Sequence, residues 1–156
     1  MWAYQRYYGI DTVIYRFSNV YGMYDESDRF IPIMIRKAAK GEALSIFGKD
    51  KMLNFTYIDD AVAGTIQTIE GFEKLKEDVY NIACGEGAKL IDVARMVKEE
   101  MGSSSEIVLG ETRTGEITQY VADMTKAREK FCYEPRTKII EGVRKSVEWY
   151  KKWCNL

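Results

Sequence analysis

Stretches of β-branched and aromatic residues alternate along this chain with stretches of helical periodicity, and this alternation constrains the fold more than any other feature. The segment 11–21, DTVIYRFSNVY, is apolar at nearly every position of its first half, as in a strand buried on both faces of a parallel sheet. The segment 89–102, KLIDVARMVKEEMG, places its apolar residues on one helical face and ends at a glycine. The pattern predicts an α/β domain with at least partly parallel strand pairing.

Length and charge narrow the class of protein. The 156 residues suffice to bury one core, and the net charge of −1 with scattered Lys and Arg gives no basic patch for nucleic acid or an anionic membrane. No apolar run approaches the roughly 18–20 residues of a membrane span, and the N-terminal sequence lacks signal-peptide regions. Three widely spaced cysteines fit reduced thiols, so we expect a cytoplasmic protein.

The residue types also limit the chemistry. The chain contains no histidine, which excludes Ser-His or Cys-His catalysis and His-ligated zinc. Cys84, Cys132 and Cys154 stand alone and form no metal-ligand pattern, so no metal site is predicted. Any proton transfer would fall to Asp, Glu, Tyr, Lys or Cys.

The loop CGEGAKL, residues 84–90, begins like a phosphate-binding fingerprint between a predicted strand and a predicted helix. Leu90 stands where the third glycine of that fingerprint would allow close packing, and Glu86 would bring negative charge towards a pyrophosphate. A plain strand-to-helix turn is therefore the favoured interpretation.

Two other positions allow either a binding or a structural interpretation. In ETRTGEITQY, residues 111–120, Arg113 could clamp a diphosphate and Glu116 could accept sugar hydroxyls, or the two could form a solvated ion pair. Asn19 ends a predicted strand, where open α/β sheets bind ligands, or it could form an Asx-type turn. Most of the nearby aromatic residues are predicted to pack in the core and at its rim.

Five motif-like stretches follow one another along the chain: YGIDTVIYRFSNVYG, IPIMIRKAAKGEALSIFG, FTYIDDAVAG, VYNIACGEG and RTGEITQYVADMTKARE. Together they resemble the C-terminal, substrate-binding part of the NAD-dependent epimerase/dehydratase family, the extended short-chain dehydrogenase/reductases that act on nucleotide sugars. The resemblance implies the C-terminal part of an extended Rossmann-type, doubly wound fold with a small mixed α/β substrate-binding domain. Residues 1–22 and 53–70 would belong to the Rossmann part, and residues 23–52 and 71–156 to the substrate-binding domain.

The resemblance also implies binding roles for particular residues. Phe17 and Val20 would lie on the nicotinamide side of NAD. The nucleotide sugar, most simply a UDP-sugar, would contact diphosphate-binding, base-binding and ribose-binding positions: Asn19, Arg29, Phe30, Ser45, Phe47, Arg113, Glu116 and Tyr120. Ser45 and Phe47 would line the base pocket, Arg113 would clamp the diphosphate, Glu116 would bind the ribose, and Tyr120 would close the site. The intact enzyme is expected to be a homodimer.

The sequence departs from the family pattern at three positions. Leu53 and Asn54 stand where many sugar epimerases carry an Arg and an Asp, and Met23 replaces a usual Pro. That Arg reaches the diphosphate in the family, so one phosphate contact is missing or is replaced by Lys49, Lys51 or Arg29.

The family's catalytic motifs do not occur in these 156 residues. No G-x-x-G-x-x-G is present, and none of the 11 tyrosines has Lys four residues later. We therefore expect a truncated unit without catalytic residues, inactive alone: the substrate-binding half of an NAD-dependent nucleotide-sugar epimerase of the UDP-glucose 4-epimerase type. The alternatives are part of a nucleotide-sugar 4,6-dehydratase, or a non-catalytic module that binds nucleotides or a partner chain.

Overall fold

A computed structural model describes residues 2–112 and 114–154. Arg113, predicted to clamp a diphosphate, lies outside the described residues. In chain order the helices and strands are α1 Trp2–Tyr8, β1 Val13–Phe17, β2 Val20–Tyr21, α2 Phe30–Ala39, β3 Leu44–Phe47, β4 Met52–Asn54, β5 Thr56–Tyr57, α3 Ile58–Glu70, α4 Phe72–Leu75, β6 Asp78–Ile82, β7 Gly87–Lys89, α5 Leu90–Met101, β8 Ile107–Gly110, α6 Thr125–Phe131 and α7 Ile139–Trp153.

Strand pairing in the structure is mostly parallel. β1 pairs with β6, β2 with β5 and β3 with β8 in parallel, whereas β4 and β7 are antiparallel. Each parallel pair joins strands that are separated in sequence by at least one helix, as parallel connections require. The predicted α/β class is confirmed.

The helices follow their local sequence signals closely. α2 begins at Phe30 and carries Pro32 in its first turn, where a missing N–H costs no intrahelical hydrogen bond. α5 buries Leu90, Val93, Ala94 and Val97 and ends at Gly102, which adopts the left-handed φ of 65° that glycine tolerates. The helix and the C-terminal glycine predicted for this segment are both confirmed.

Two clusters of buried side chains hold the structure together. The first lies between α2, α5 and α7 and includes Ile35, Val97 and Val147. The second joins α3, β6 and α6 and includes Tyr80 and Tyr133. Since the second cluster combines residues from both predicted domains, the domain boundaries given above remain a prediction.

The predicted strand 11–21 is not continuous. β1 ends at Phe17 and β2 begins at Val20, because Asn19 adopts a left-handed φ of 30° that a strand cannot contain. β1 is also not buried on both faces, as its first residues are half-buried and Arg16 and Phe17 are exposed. Within the described residues β1 pairs only with β6, which accounts for the exposure.

Two further expectations from the sequence were wrong. The sequence ITQYVA, residues 117–122, favours a strand, but in the structure it forms only an isolated bridge between Gln119 and Met52. The sequence offers Asp59 or Asp60 as the N-cap of the helix that follows, but the N-cap of α3 is Tyr57. Asp60 instead accepts hydrogen bonds from the backbone N–H groups of Arg136 and Thr137, at 2.9 and 3.0 Å, so a tertiary contact replaces the expected local one.

The described residues contain neither a membrane-spanning helix nor a metal-ligand cluster. None of the helices in the described ranges combines the length and apolar character that crossing a membrane requires. Residues 2–112 and 114–154 also contain no group of three or more His, Cys, Asp or Glu side chains placed to hold a metal ion.

Candidate functional site

The carboxyl end of β1 is tied to the β4–β5 junction by side-chain hydrogen bonds. Asn19 Nδ2 donates to the backbone carbonyl of Asn54 at 2.8 Å, and Ser18 Oγ donates to the same carbonyl at 3.1 Å. The backbone N–H of Thr56 in turn donates to the carbonyl of Asn19 at 3.3 Å. These contacts fix the Asn19 amide in one orientation at the end of a parallel strand, where ligands bind in α/β sheets.

An open depression, here called the Asn19 cleft, lies beside this junction. Its wall brings together side chains from three separate segments of the chain: Phe17 and Asn19, Lys51 and Leu53, Glu116 and Tyr120. Four of these six residues are ones that the resemblance assigned to ligand binding. The sequence had indicated their roles individually, and the fold places them around one depression.

An ion pair forms part of the wall of the Asn19 cleft. Lys51 Nζ lies 2.7 Å from Glu116 Oε2, and the two side chains are 14% and 31% exposed. Lys51 was one of three candidates for a replacement cation, but its pairing with Glu116 was not predicted, because 65 residues separate the two. The backbone hydrogen bonds of Met52 with Thr118 and Tyr120 bring the two segments side by side.

A second depression adjoins the Asn19 cleft and shares Asn19 and Leu53 with it. Its lining also includes Val20, Arg29 and Phe30, all of which the resemblance assigned to binding. Arg29 precedes α2, and its guanidinium contacts Asp25 Oδ1 at 3.3 Å and Ser27 Oγ at 3.0 Å. The two depressions therefore lie side by side, with Asn19 and Leu53 in the wall of both.

An apolar surface adjoins the site on the side of α3. Phe17 and Val20 meet Ile58, Ala61, Val62 and Ile66 there. A flat aromatic ring such as nicotinamide can pack its face on such a surface, because burying apolar area is favourable. The two residues assigned to the cofactor thus share a surface whose chemistry fits that group.

Ser45 and Phe47 lie on β3 and point to the same face of its pairing with β8. Ser45 is half-buried and Phe47 is 38% exposed, and neither lines the two depressions around Asn19. The ring of Phe47 lies over Gly110, where a Cβ atom would come within 2.8 Å of it. β3 leads through Gly48 directly to Lys51, whose N–H donates to the Gly48 carbonyl at 3.2 Å.

The loop 84–90 does not form a phosphate cradle. It contains the short strand β7 rather than leading directly into α5, and Glu86 pairs with Lys138 at 3.0 Å. The Cys84 thiol donates to the carbonyl of Glu86 and to Asn54 Oδ1, and burial raises its pKa. Cys84 is therefore held as a thiol and is poorly suited to act as a nucleophile.

Burial affects a tyrosine of the site in the same way. Tyr21 lines the second depression, and its burial raises the pKa of its hydroxyl well above the usual value. A phenol that stays protonated at neutral pH is a poor general base. Tyr21 therefore contributes packing and a hydrogen bond to the Ile139 carbonyl rather than proton transfer.

Comparison with known proteins identifies the family of this chain. The profile of the NAD dependent epimerase/dehydratase family matches residues 1–83, which is 83 of 156 residues and more than half of the chain. The chain belongs to the NAD-dependent epimerase/dehydratase family. The family predicted from the motifs and the implied fold class are thus confirmed, and NAD is the cofactor of this family.

Individual members of the family match nearly all of this chain. The dTDP-glucose 4,6-dehydratase 1 of Escherichia coli (strain K12) is 32% identical over 165 residues, spanning 98% of this chain and 45% of the dehydratase. The crystal structure of UDP-glucose 4-epimerase from Thermotoga maritima with UDP-glucose matches with a TM-score of 0.84 and 30% identity, over 96% of this chain and 49% of that one.

A third member was solved with both ligands. UDP-glucuronic acid 4-epimerase from Bacillus cereus, in complex with UDP-glucuronic acid and NAD, matches with a TM-score of 0.87 and 28% identity over 96% of this chain and 48% of that one. The chain thus spans about half the length of the family members it matches.

Proposed function

We propose that this chain is the substrate-binding part of an NAD-dependent nucleotide-sugar epimerase of the UDP-glucose 4-epimerase type. The observation that carries the proposal is the Asn19 cleft, where Phe17, Asn19, Glu116 and Tyr120 come together from segments that are distant in sequence. Two solved epimerases with the same fold carry a UDP-sugar in their crystals, which supports a UDP-sugar as the ligand.

The residues of the site divide by the part of the ligand they suit. Asn19 and Arg29 would donate hydrogen bonds to the diphosphate, with Phe30 beside them, and Arg113 is proposed to join them. Glu116 would accept hydrogen bonds from the ribose hydroxyls, and Tyr120 would close the cleft. Ser45 and Phe47 would bind the base from β3, at the far side of Lys51.

The chain contributes positioning rather than chemistry in this proposal. NAD supplies the hydride acceptor and donor when it is bound, and Phe17 and Val20 would provide apolar contact for its nicotinamide side. Anchoring the diphosphate and base far from the reacting carbon uses binding energy to orient the sugar. We propose that the 156 residues are inactive alone, since neither a G-x-x-G-x-x-G nor a Y-x-x-x-K occurs in them.

A nucleotide-sugar 4,6-dehydratase is a second candidate, favoured by the 32% identity to the dehydratase of Escherichia coli. Turnover of UDP-glucose and dTDP-glucose by the complete natural polypeptide distinguishes the two. A 4-epimer as product supports the epimerase, whereas loss of water to a 4-keto-6-deoxy sugar supports the dehydratase. The predicted cytoplasmic location and homodimer stay predictions.

Calorimetric titration tests the binding function itself. We expect the complete natural polypeptide that carries these residues to bind UDP-glucose, UDP-glucuronic acid or dTDP-glucose saturably, and free glucose far more weakly. Absence of saturable binding for all three nucleotide sugars would reject the proposal in both its forms.

A further inference from the structure

We propose that Lys51 is a phosphate-binding residue of this site, whose ammonium contacts the diphosphate of the nucleotide sugar. This inference rests on the proposed function and extends it to a residue outside the set that the family motifs assign.

The Lys51 ammonium lies in the wall of the Asn19 cleft. The Lys51 side chain is 14% exposed and lines the Asn19 cleft together with Asn19, Glu116 and Tyr120. Among the residues that the structure describes, it is the one cationic side chain in this wall. A charge this close to low-dielectric protein attracts a phosphate more strongly than a lysine in open solvent does.

The backbone of Lys51 is held by hydrogen bonds on both sides. Its N–H donates to the Gly48 carbonyl at 3.2 Å, and its carbonyl accepts from the N–H of Leu90 at 3.0 Å. The next residue, Met52, bonds to Thr118 and Tyr120 at 2.9 and 3.0 Å. Only the side chain of Lys51 has to be ordered on binding, which lowers the entropic cost of the contact.

The Lys51 ammonium is paired with the Glu116 carboxylate. Glu116 lies 2.7 Å away and holds Nζ at the cleft wall. An ammonium has three N–H donors and this pair uses one, so phosphate oxygens can bind without displacing the carboxylate. A cation next to a carboxylate also matches the ligand, in which a diphosphate is joined to a ribose diol.

The neighbouring cations Arg29 and Lys89 are more exposed than Lys51. The Arg29 guanidinium is 54% exposed and engaged by Asp25 and Ser27 in the adjoining depression. Lys89, on the strand that pairs with β4, is 51% exposed and lies 3.6 Å from Asp50. Lys89 is therefore a matched control, because it is an ion-paired lysine opposite Met52, the residue after Lys51, and does not line the cleft.

The test compares Lys51→Met with Lys89→Met in the complete natural polypeptide that carries these residues. Affinities for uridine and UDP are measured by ligand-detected NMR and calorimetry, and the ratio of the two reports the phosphate contribution. Lys51→Met is expected to lower the affinity for UDP about 10- to 100-fold while leaving that for uridine nearly unchanged. Lys89→Met should leave both within about twofold.

Other results with Lys51→Met would overturn the assignment of Lys51 to phosphate binding. Equal losses for uridine and UDP in Lys51→Met would show that Lys51 only supports the fold of the cleft and would overturn the proposal. Unchanged affinities for both ligands would also overturn it, while UDP binding by the unmodified protein would leave the proposed function intact. If the unmodified protein binds no UDP or UDP-sugar, both proposals fail. Thermal unfolding of both variants identifies any loss of folded protein.

Discussion

Asn19 and Asn54 are 35 residues apart in sequence, yet the side-chain amide of the first donates to the main-chain carbonyl of the second at 2.8 Å. The same carbonyl accepts from Ser18, and Asn54 itself is completely buried. This one acceptor therefore joins the end of β1 to the β4–β5 junction and sets the orientation of a residue that the proposed function places against the ligand.

Replacement of Asn19 by Ala and by Gly should separate its hydrogen bond from its backbone conformation. Both variants lose the bond to Asn54, which contributes about 1 kcal/mol. Asn19→Ala also places a Cβ-bearing residue at a φ of 30°, whereas glycine tolerates that region. We expect Asn19→Ala to be less stable than Asn19→Gly by roughly 1 kcal/mol in urea unfolding.

The two variants should nevertheless lose affinity for a UDP-sugar equally, because neither retains the amide. A much weaker affinity for Asn19→Ala than for Asn19→Gly, measured by calorimetry, would contradict a direct contact between the amide and the ligand.

Asp60→Asn should destabilise the protein through the loop that precedes α7. The Asp60 carboxylate accepts the backbone N–H groups of Arg136 and Thr137, and an amide would turn a donor towards one of them. An N–H of this partly buried pair left without an acceptor costs roughly 1–3 kcal/mol. Urea unfolding should show a loss in that range, with Asp59→Asn as control, since Asp59 is exposed on the same helix turn.

If the two variants were equally stable, the charge at the start of α3 rather than the tie to the loop would account for the role of Asp60.

The sequence predicts most of the helices because their signals are local. α5 and α7 carry an apolar face over several turns, and Gly102 marks an end that depends only on its own φ. The family is likewise predictable, since its motifs can be recognised without knowing which residues touch.

Interruptions and pairings depend on contacts that no local pattern contains. The strand predicted over 11–21 breaks at Asn19, whose φ is left-handed and whose side chain donates to Asn54. The β-rich segment 53–58 divides at Phe55, where β4 and β5 take different partners. The pairing of Lys51 with Glu116 depends on how the segment after Gly115 crosses β4. Candidate residues could thus be named from the sequence, but their grouping required the fold.

Cys84 should react with iodoacetamide more slowly than Cys132 in the folded protein. Cys132 is exposed, whereas burial raises the pKa of the Cys84 thiol, which also donates to Glu86 and Asn54. Because the protonated form is favoured in the folded state, this thiol stabilises the fold below its unfolded pKa, and that contribution is lost as the pH rises through the higher folded pKa.

Mass spectrometry after timed labelling at pH 8 measures both rates, and labelling in urea provides the control in which the two cysteines should react alike. Equal rates in the folded protein would show that the Cys84 thiol is not shielded as the structure indicates.

Phe47→Ala should lower the affinity for uridine and for UDP by the same factor, in contrast to the phosphate-dependent loss expected for Lys51→Met. The ring lies on β3 over Gly110 and is partly exposed, so it can stack against a base, and such stacking contributes roughly 1–3 kcal/mol. Leu109→Ala is the matched control, because Leu109 is exposed on the paired strand opposite Ile46 and so lies on the face away from Phe47. Calorimetry with UDP and ligand-detected NMR with uridine measure the two affinities. A loss confined to UDP would place Phe47 near the phosphates instead of the base, and no loss with either ligand would remove β3 from the proposed base pocket.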